Sequence, residues 1–135
     1  MTPETRDKIL RVGSKRIVAA LARHGVADRA VERLPAIDPF AGAASLGLET
    51  CRAGSVLVGN AAGRMIERLR QRGIEGVVAP RELRGIPIEA GDAILRDRDS
   101  LVVIPAALVE AVVEQAAEAL AFEEFTADQV AQGGG

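Results

Sequence analysis

The chain has 135 residues, with 17 Lys and Arg against 19 Asp and Glu, one His and one Cys. This length predicts a single domain over residues 1–135. The near balance of interspersed charges, in a chain without Trp or Tyr, argues against direct nucleic-acid binding. The longest apolar run, Leu101–Val109, is far shorter than the roughly 20 residues of a bilayer span, so we expect no membrane segment and a cytoplasmic protein.

The apolar residues predict a shallow, aliphatic core, because 24 residues are Ala and only three are aromatic. A chain of this size buries only about two-thirds of its unfolded surface, so such a core favours association with copies of itself. We therefore expect a homo-oligomer. The single Cys51 and single His24 exclude an intrachain disulfide and a Cys/His zinc site within one chain. We expect Cys51 to be a packed thiol and His24 to cap a helix end.

In chain order, the first predicted element is an N-terminal helix within residues 1–25. It starts at Thr2-Pro3-Glu4, and Gly13-Ser14 is a possible break. A short helix is expected near Asp28–Leu34, followed by a loop.

The middle of the chain predicts a sheet core over residues 41–104 with one crossover helix, and so an α/β fold. Strands are expected at Ala41–Leu48, Ser55–Val58 and Ile74–Ala79, with a helix from about Met65 to Arg72 between the last two. This β-α-β unit implies a parallel pair of strands. Further on come a loop or helical turn at Pro80–Gly85 and the segment Ile86–Asp92, which leads into another extended stretch. Ala93–Leu95 and Leu101–Ile104 are expected to form a hairpin. A long C-terminal helix over residues 105–131 completes the domain.

These segments resemble the RraA-like family, named after a regulator of RNase E activity. Gly91–Pro105 looks like the family signature G-D-x4-D-x-D-G-x-V-V-x-P. Glu49–Val58 resembles the strand before the family's active-site loop, and Gly63–Gly73 resembles the helix after that loop. Gly76-Val77-Val78 matches the residues that precede the family's motif D-G-x2-R-D. Ala19–Gly25 also fits, and family segments before Glu49 and after Gly85 are shortened or absent.

The resemblance implies a layered β/β/α fold of the swivelling-domain type, assembled as a trimer or a pair of trimers with active sites between subunits. Many members are similar to class II aldolases. These enzymes cleave 4-hydroxy-4-methyl-2-oxoglutarate or decarboxylate oxaloacetate with Mg²⁺ or another divalent cation. Such chemistry needs a Lewis acid for the enolate, a cation for the substrate carboxylate and aligned amides for the remaining oxygens.

The resemblance also assigns site residues. Arg84 falls on the family's arginine, which implies a catalytic and substrate-binding guanidinium. Gly63, Arg64 and Met65 occupy the start of the Gly-rich helix, where backbone amides would bind substrate. Gly85, however, falls on the metal-binding aspartate, so the motif is degenerate and the metal ligand is unknown.

Alternatives remain for the acidic residues. A second alignment sets Leu95-Arg96-Asp97 on the arginine and aspartate of the motif and makes Asp97 a candidate metal ligand. Asp97 and Asp99 could also pair around a hard cation, or form the solvated tip of the hairpin. The carboxylates of the last helix either form its solvated face or reach a neighbouring subunit's site; they are Glu123, Glu124 and Asp128.

Two functional hypotheses follow. The first is a non-catalytic RraA-like subunit that acts in assembly or in binding a protein partner, with no cofactor. The alternative is a metal-dependent carbon–carbon lyase, an aldolase or decarboxylase, that binds a short 2-oxo acid. The missing aspartate and the shortened segments favour the first hypothesis. Losing the metal ligand and two loops should cost the reaction far more than the few kcal/mol that a single substitution usually removes.

Overall fold

The computed structural model describes residues 1–133, and its helices and strands follow the predicted order in most of the chain. The helices are α1 (Pro3–Arg23), α2 (Arg64–Gln71) and α3 (Val109–Gly133). The strands are β1 (Ala30–Val31), β2 (Phe40–Ser45), β3 (Ser55–Val58), β4 (Gly76–Val78), β5 (Ala93–Arg96) and β6 (Leu101–Ile104). Short 3-10 turns lie at Leu48–Thr50, Pro80–Leu83 and Ala106–Leu108.

The strands form one sheet in the order β1-β6-β5-β2-β3-β4. β2, β3 and β4 are parallel, whereas β5 pairs antiparallel with β2 and β6, and β6 pairs antiparallel with β1. The predicted β-α-β unit is confirmed, because α2 joins the parallel strands β3 and β4. The predicted hairpin is confirmed in β5 and β6. The α/β class, with an N-terminal helix and a long C-terminal helix, is confirmed as well.

The first helix contains the predicted break. Thr2 caps its start, where the Thr2 hydroxyl accepts a hydrogen bond from the Thr5 N–H at 3.1 Å. Gly13 then leaves the helical conformation, with φ of 81° and ψ of 165°. A side chain would be strained at this positive φ, so glycine allows the chain to bend there and pack both halves of α1 on the sheet.

All three helices lie on one face of the sheet. Strand residues Ala41, Ala93 and Leu95 pack against α1 and α3, and Leu57 packs with Leu69 of α2. Paired residues on neighbouring strands point to the same side, and the register places these strand residues on a common face. The opposite face is covered by irregular segments instead of helices. Its cover consists of Leu34, Leu83, Ile86 and Ile88, which pack on Val56, Val78, Ile94 and Val103.

The Gly-Asp pair before β5 has a structural role in this fold. Asp92 is buried, and its Oδ2 accepts a hydrogen bond from the Glu89 N–H at 2.9 Å. Its Oδ1 accepts a hydrogen bond from the Ala106 N–H, also at 2.9 Å. One carboxylate therefore joins the turn before β5 to the start of the last helical segment, which explains why an aspartate suits this position.

The predicted helix near Asp28–Leu34 is wrong. Asp28 and Arg33 have positive φ values of 59° and 61°, which interrupt any helix, and Ala30–Val31 forms β1 on the edge of β6. The sheet therefore includes residues before the predicted core of 41–104. The segment Ile86–Asp92 leads into β5, as expected, and contains a turn. Within residues 1–133, no helix combines the length and hydrophobicity needed to cross a bilayer.

Candidate functional site

A pocket of about 500 Å³ opens at the carboxyl ends of the parallel strands β3 and β4. The chain leaves both strands at this edge, and the Gly59 N–H donates to the Val78 carbonyl at 2.9 Å, so the two exit segments run side by side. The pocket is lined by Gly59, Asn60, Ala61, Ala62, Ile66, Val77, Ala79, Arg81 and Glu82. Ligands of open α/β sheets often bind beyond the carboxyl ends of the strands, so this pocket is the candidate site.

The start of α2 borders this pocket. Gly63 is its N-cap, with φ of 57° and ψ of −127°, and no side chain caps the first turn. The Met65 N–H donates to the Ala62 carbonyl at 3.3 Å, while Arg64 and Met65 are both exposed. The predicted residues Gly63, Arg64 and Met65 are not among the residues that line the pocket, whereas their neighbours Ala62 and Ile66 are.

Glu82 is the one carboxylate among the lining residues, and both of its oxygens face donors of the chain. Its Oε1 accepts a hydrogen bond from the Ala79 N–H at 3.2 Å. Its Oε2 lies 3.8 Å from Nε of Arg96. The preceding Arg81 is exposed and makes no ion pair within residues 1–133. The pocket therefore offers one available cation and one carboxylate held by its surroundings.

Sequence reasoning did not single out Arg81, Glu82 or Asn60. A signal for them exists in the sequence, because each follows a predicted buried strand of the β-α-β unit by only a few residues. The exits of two neighbouring parallel strands lie at the same edge of a sheet. The position after the strand, and not a motif, identifies these residues.

Arg84 lies elsewhere in the molecule. The 3-10 turn Pro80–Leu83 buries Leu83 against the helix-free face of the sheet, and Arg84 follows in a left-handed conformation with φ of 48°. Arg84 is exposed and borders a separate depression with Asp28, Val31, Glu32 and Ile86. The structure therefore does not bring Arg84 together with Gly63-Arg64-Met65 in one pocket.

Arg96 and Asp97, at the β5–β6 turn, make hydrogen bonds to other segments of the fold. Arg96 is only 2% exposed and donates to the carbonyls of Pro35 at 2.7 Å, Asp97 at 2.8 Å and Arg98 at 3.2 Å. Asp97 Oδ2 accepts a hydrogen bond from the Ser14 N–H at 2.9 Å, directly after the break in α1. This carboxylate thus caps the second half of α1. Among residues 1–133, no group of three or more His, Cys, Asp and Glu side chains is placed to hold a metal ion.

The remaining candidates have local roles. Cys51 is buried with Leu57 and Ile74, as expected for a packed thiol. His24 is the C-cap of α1, and its N–H donates to the Leu21 carbonyl at 2.9 Å. Glu123 forms an ion pair with Arg16 of α1. The other two carboxylates of this helix, Glu124 and Asp128, are exposed.

Comparison with known proteins supports the fold. No protein-family model matches the sequence, and no curated protein is significantly similar to it. An uncharacterized protein from Pseudomonas syringae pv. tomato str. DC3000 superposes with a TM-score of 0.74 at 16% identity, over 98% of this chain and 94% of that chain. RraAS2 from Streptomyces coelicolor, an unusual member of the RNase ES inhibitor RraA protein family, superposes with a TM-score of 0.72 at 20% identity, over 95% of this chain and 98% of that chain. The predicted resemblance is therefore confirmed at the level of structure, and the chain has an RraA-like fold over nearly its full length.

Proposed function

We propose that the protein is a non-catalytic RraA-like subunit that acts by assembling with other protein chains. The observation that carries this proposal is the state of Glu82, the carboxylate of the candidate pocket. Its two oxygens face the Ala79 N–H and the Arg96 guanidinium, at 3.2 and 3.8 Å. The hydrogen bond to Oε1 helps to fix the turn after β4, and the positive charge of the guanidinium beside Oε2 disfavours the binding of a cation there.

The residues of the pocket do not fit the divalent metal that the lyase hypothesis needs. Mg²⁺ is bound through one or two carboxylates with several waters in octahedral geometry. Here the single carboxylate already faces a guanidinium, whose positive charge would repel a dication beside it. Gly85, at the position of the family's aspartate, offers no side-chain ligand and lies outside the pocket lining.

The competing candidate is a lyase acting on a short 2-oxo acid, and one observation favours it. Arg81 borders the pocket beside the uncapped start of α2. A guanidinium can bind a carboxylate through two hydrogen bonds, and the N–H groups of a helix start attract anions. These features suit a small anion, although they supply no Lewis acid.

The test is pyruvate release from oxaloacetate at neutral pH, measured with Mg²⁺ and with a chelator. The variants are Arg81→Ala and, as the matched control, Arg84→Ala, because both arginines are exposed and only Arg81 borders the pocket. We expect the protein and both variants to give no more than the rate of free Mg²⁺. Metal-dependent turnover above that rate would overturn the proposal. Its loss in Arg81→Ala alone would place the reaction in the pocket, and its loss in Arg84→Ala would place it in the depression beside β1.

A binding measurement gives a second readout. A ligand that binds only the folded state raises the melting temperature in proportion to the logarithm of its concentration. We expect no Mg²⁺-dependent rise in Tm up to 10 mM (~10⁴ times a micromolar Kd). A concentration-dependent rise that Glu82→Gln abolishes would show a metal site at Glu82 and would contradict the non-catalytic assignment.

A further inference from the structure

A depression of about 420 Å³ runs along β1, the strand at one edge of the sheet. One wall is formed by residues of the segment 28–33, which contains β1, and the other wall carries Arg84 and Ile86. Arg29 ties the two walls together, because its guanidinium donates a hydrogen bond to the Pro87 carbonyl at 3.1 Å. The volume is within the usual range of small-ligand pockets, ~300–1,000 Å³. We call this surface the β1 depression.

Two cations and two anions line the β1 depression, namely Arg33, Arg84, Asp28 and Glu32. All four side chains are exposed, and none of them forms an ion pair within residues 1–133. Opposite charges attract each other, yet here the guanidinium groups and the carboxylates stay apart at the rim of one depression. All four charges are therefore available to a ligand.

The backbone at the β1 depression has an unusual conformation. Three residues other than glycine have a positive φ within residues 1–133, and all three line this depression: Asp28 at 59°, Arg33 at 61° and Arg84 at 48°. Aspartate is frequent in the left-handed region, whereas arginine is not. Residues in such strained conformations cluster at ligand sites, where the surrounding structure holds them in place. The fold thus fixes two left-handed arginines at the same depression.

The lining charges indicate the chemical class of a ligand. The two arginines would repel a divalent cation, and the two carboxylates would repel a phosphate. A zwitterion suits both signs, because a guanidinium binds a carboxylate through two hydrogen bonds and a carboxylate accepts hydrogen bonds from an ammonium group. The other lining residues are apolar and suit an aliphatic side chain: Ala30, Val31 and Ile86.

We propose that the β1 depression binds a free aliphatic α-amino acid, with Arg84 at the carboxylate and Asp28 at the ammonium group. Glu32 and Arg33 are shared with a neighbouring depression beside α1, whereas Asp28 and Arg84 are not. A free amino acid carries both charges close together, while a peptide separates them by the length of its chain. This binding needs no metal and no reaction, so it goes beyond the proposed function and does not depend on it.

The experiment is a titration of the isotope-labelled chain with L-leucine, followed through the NMR chemical shifts of its N–H groups. We expect saturable shifts around Asp28, Arg33 and Arg84, with a Kd of ~1 mM. Two analogues each lack one charge: leucinamide has no carboxylate, and 4-methylpentanoate has no ammonium group. Each analogue should bind at least about tenfold more weakly than leucine.

Two variants assign the two charges to residues. Arg84→Asn and Asp28→Asn each remove one charge, and asparagine adopts the left-handed conformation readily, so circular dichroism should show an unchanged fold. Arg84→Asn should bind leucine and leucinamide equally weakly, and Asp28→Asn should bind leucine and 4-methylpentanoate equally weakly. The matched controls are Arg98→Asn and Asp38→Asn, which change exposed residues outside the depression and should keep the native Kd.

Three results would overturn the inference. The first is the absence of saturable shifts up to about 50 mM leucine, which is ~50 times the expected Kd. The second is an analogue that binds as tightly as leucine, because one charge alone would then account for the binding. The third is a set of shifts confined to the N–H groups around Arg81, which would place the ligand in the other pocket. The oxaloacetate assay and the Mg²⁺ melts test the proposed function separately from this titration.

Discussion

The strongest prediction for the stability of this fold concerns Arg96→Met. The arginine is 2% exposed, and its three hydrogen bonds reach the carbonyls of Pro35, Asp97 and Arg98. Two of these carbonyls belong to the β5–β6 turn, and the third belongs to the irregular segment that covers the helix-free face of the sheet. Methionine retains most of the apolar contacts of the side chain but removes every donor.

The expected loss of stability is the contribution of the three hydrogen bonds of Arg96, reduced by the cost of burying its charge. A hydrogen bond from a charged donor contributes ~1.5–3 kcal/mol, and the substitution removes three of them. Part of this loss is offset, because the buried charge disappears and Nε of Arg96 has no hydrogen-bond partner in the native protein. We expect a net loss of ~3 kcal/mol in the free energy of unfolding, near the lower end of the range for a broken buried network.

The assay is urea denaturation with Arg98→Met as the matched control, since Arg98 is exposed and its side chain makes no hydrogen bond in residues 1–133. The control should change the free energy of unfolding by less than ~0.5 kcal/mol. Hydrogen exchange should accelerate at the N–H groups of Leu34 and Ile37, which donate to the Asp99 and Arg98 carbonyls. A loss below ~1 kcal/mol for Arg96→Met, or equal losses in both variants, would refute the assignment of Arg96 as a structural anchor.

Two further predictions test other parts of the fold. Asp97→Ala should lower the free energy of unfolding by ~1 kcal/mol, because it removes the carboxylate that accepts the Ser14 N–H at the start of the second half of α1. The neighbouring substitution Asp99→Ala should leave stability nearly unchanged in the same thermal melts. Equal effects of the two changes would contradict the capping role. Gly76→Ala should lower the free energy of unfolding by ~1–3 kcal/mol, since an added Cβ would lie 2.5 Å from the Phe40 ring. Adding Phe40→Leu to this variant should restore part of the lost stability. No restoration in the double variant would mean that the ring is not the obstacle.

The elements that could be predicted from the sequence are those that local periodicity encodes. β3 has the predicted bounds, Ser55–Val58, because a short apolar run after Arg52-Ala53-Gly54 marks its ends. α2 and α3 were predicted within a few residues for the same reason. β1 could not be found in this way. A strand of two residues has no period, and it exists only because β6, which is 70 residues further along the chain, offers a free edge.

The sequence predicted the start of α2, which borders the candidate pocket, but it did not single out the residues that line the pocket. The start of α2 was identified, because a glycine after a buried strand and before an amphipathic helix is a local signal. Arg84 was assigned by its distance from Gly76-Val77-Val78 under the family pattern. In the structure, the turn at Pro80–Leu83 directs the chain over the sheet, so Arg81 and Glu82 lie at the pocket and Arg84 does not.

An arginine followed by an acidic residue occurs at four places, and the sequence pattern alone does not distinguish them: Arg6-Asp7, Arg81-Glu82, Arg96-Asp97 and Arg98-Asp99. Burial and hydrogen bonding distinguish them. Arg6 forms ion pairs with Glu75 and Asp7. Arg96 and Asp97 are bonded to carbonyl and N–H groups of the chain, which accounts for both side chains without a ligand. Arg98 and Asp99 are exposed in a turn. Of these arginines, Arg81 is the one that is exposed and borders the candidate pocket, so an anion bound in that pocket would lie beside Arg81.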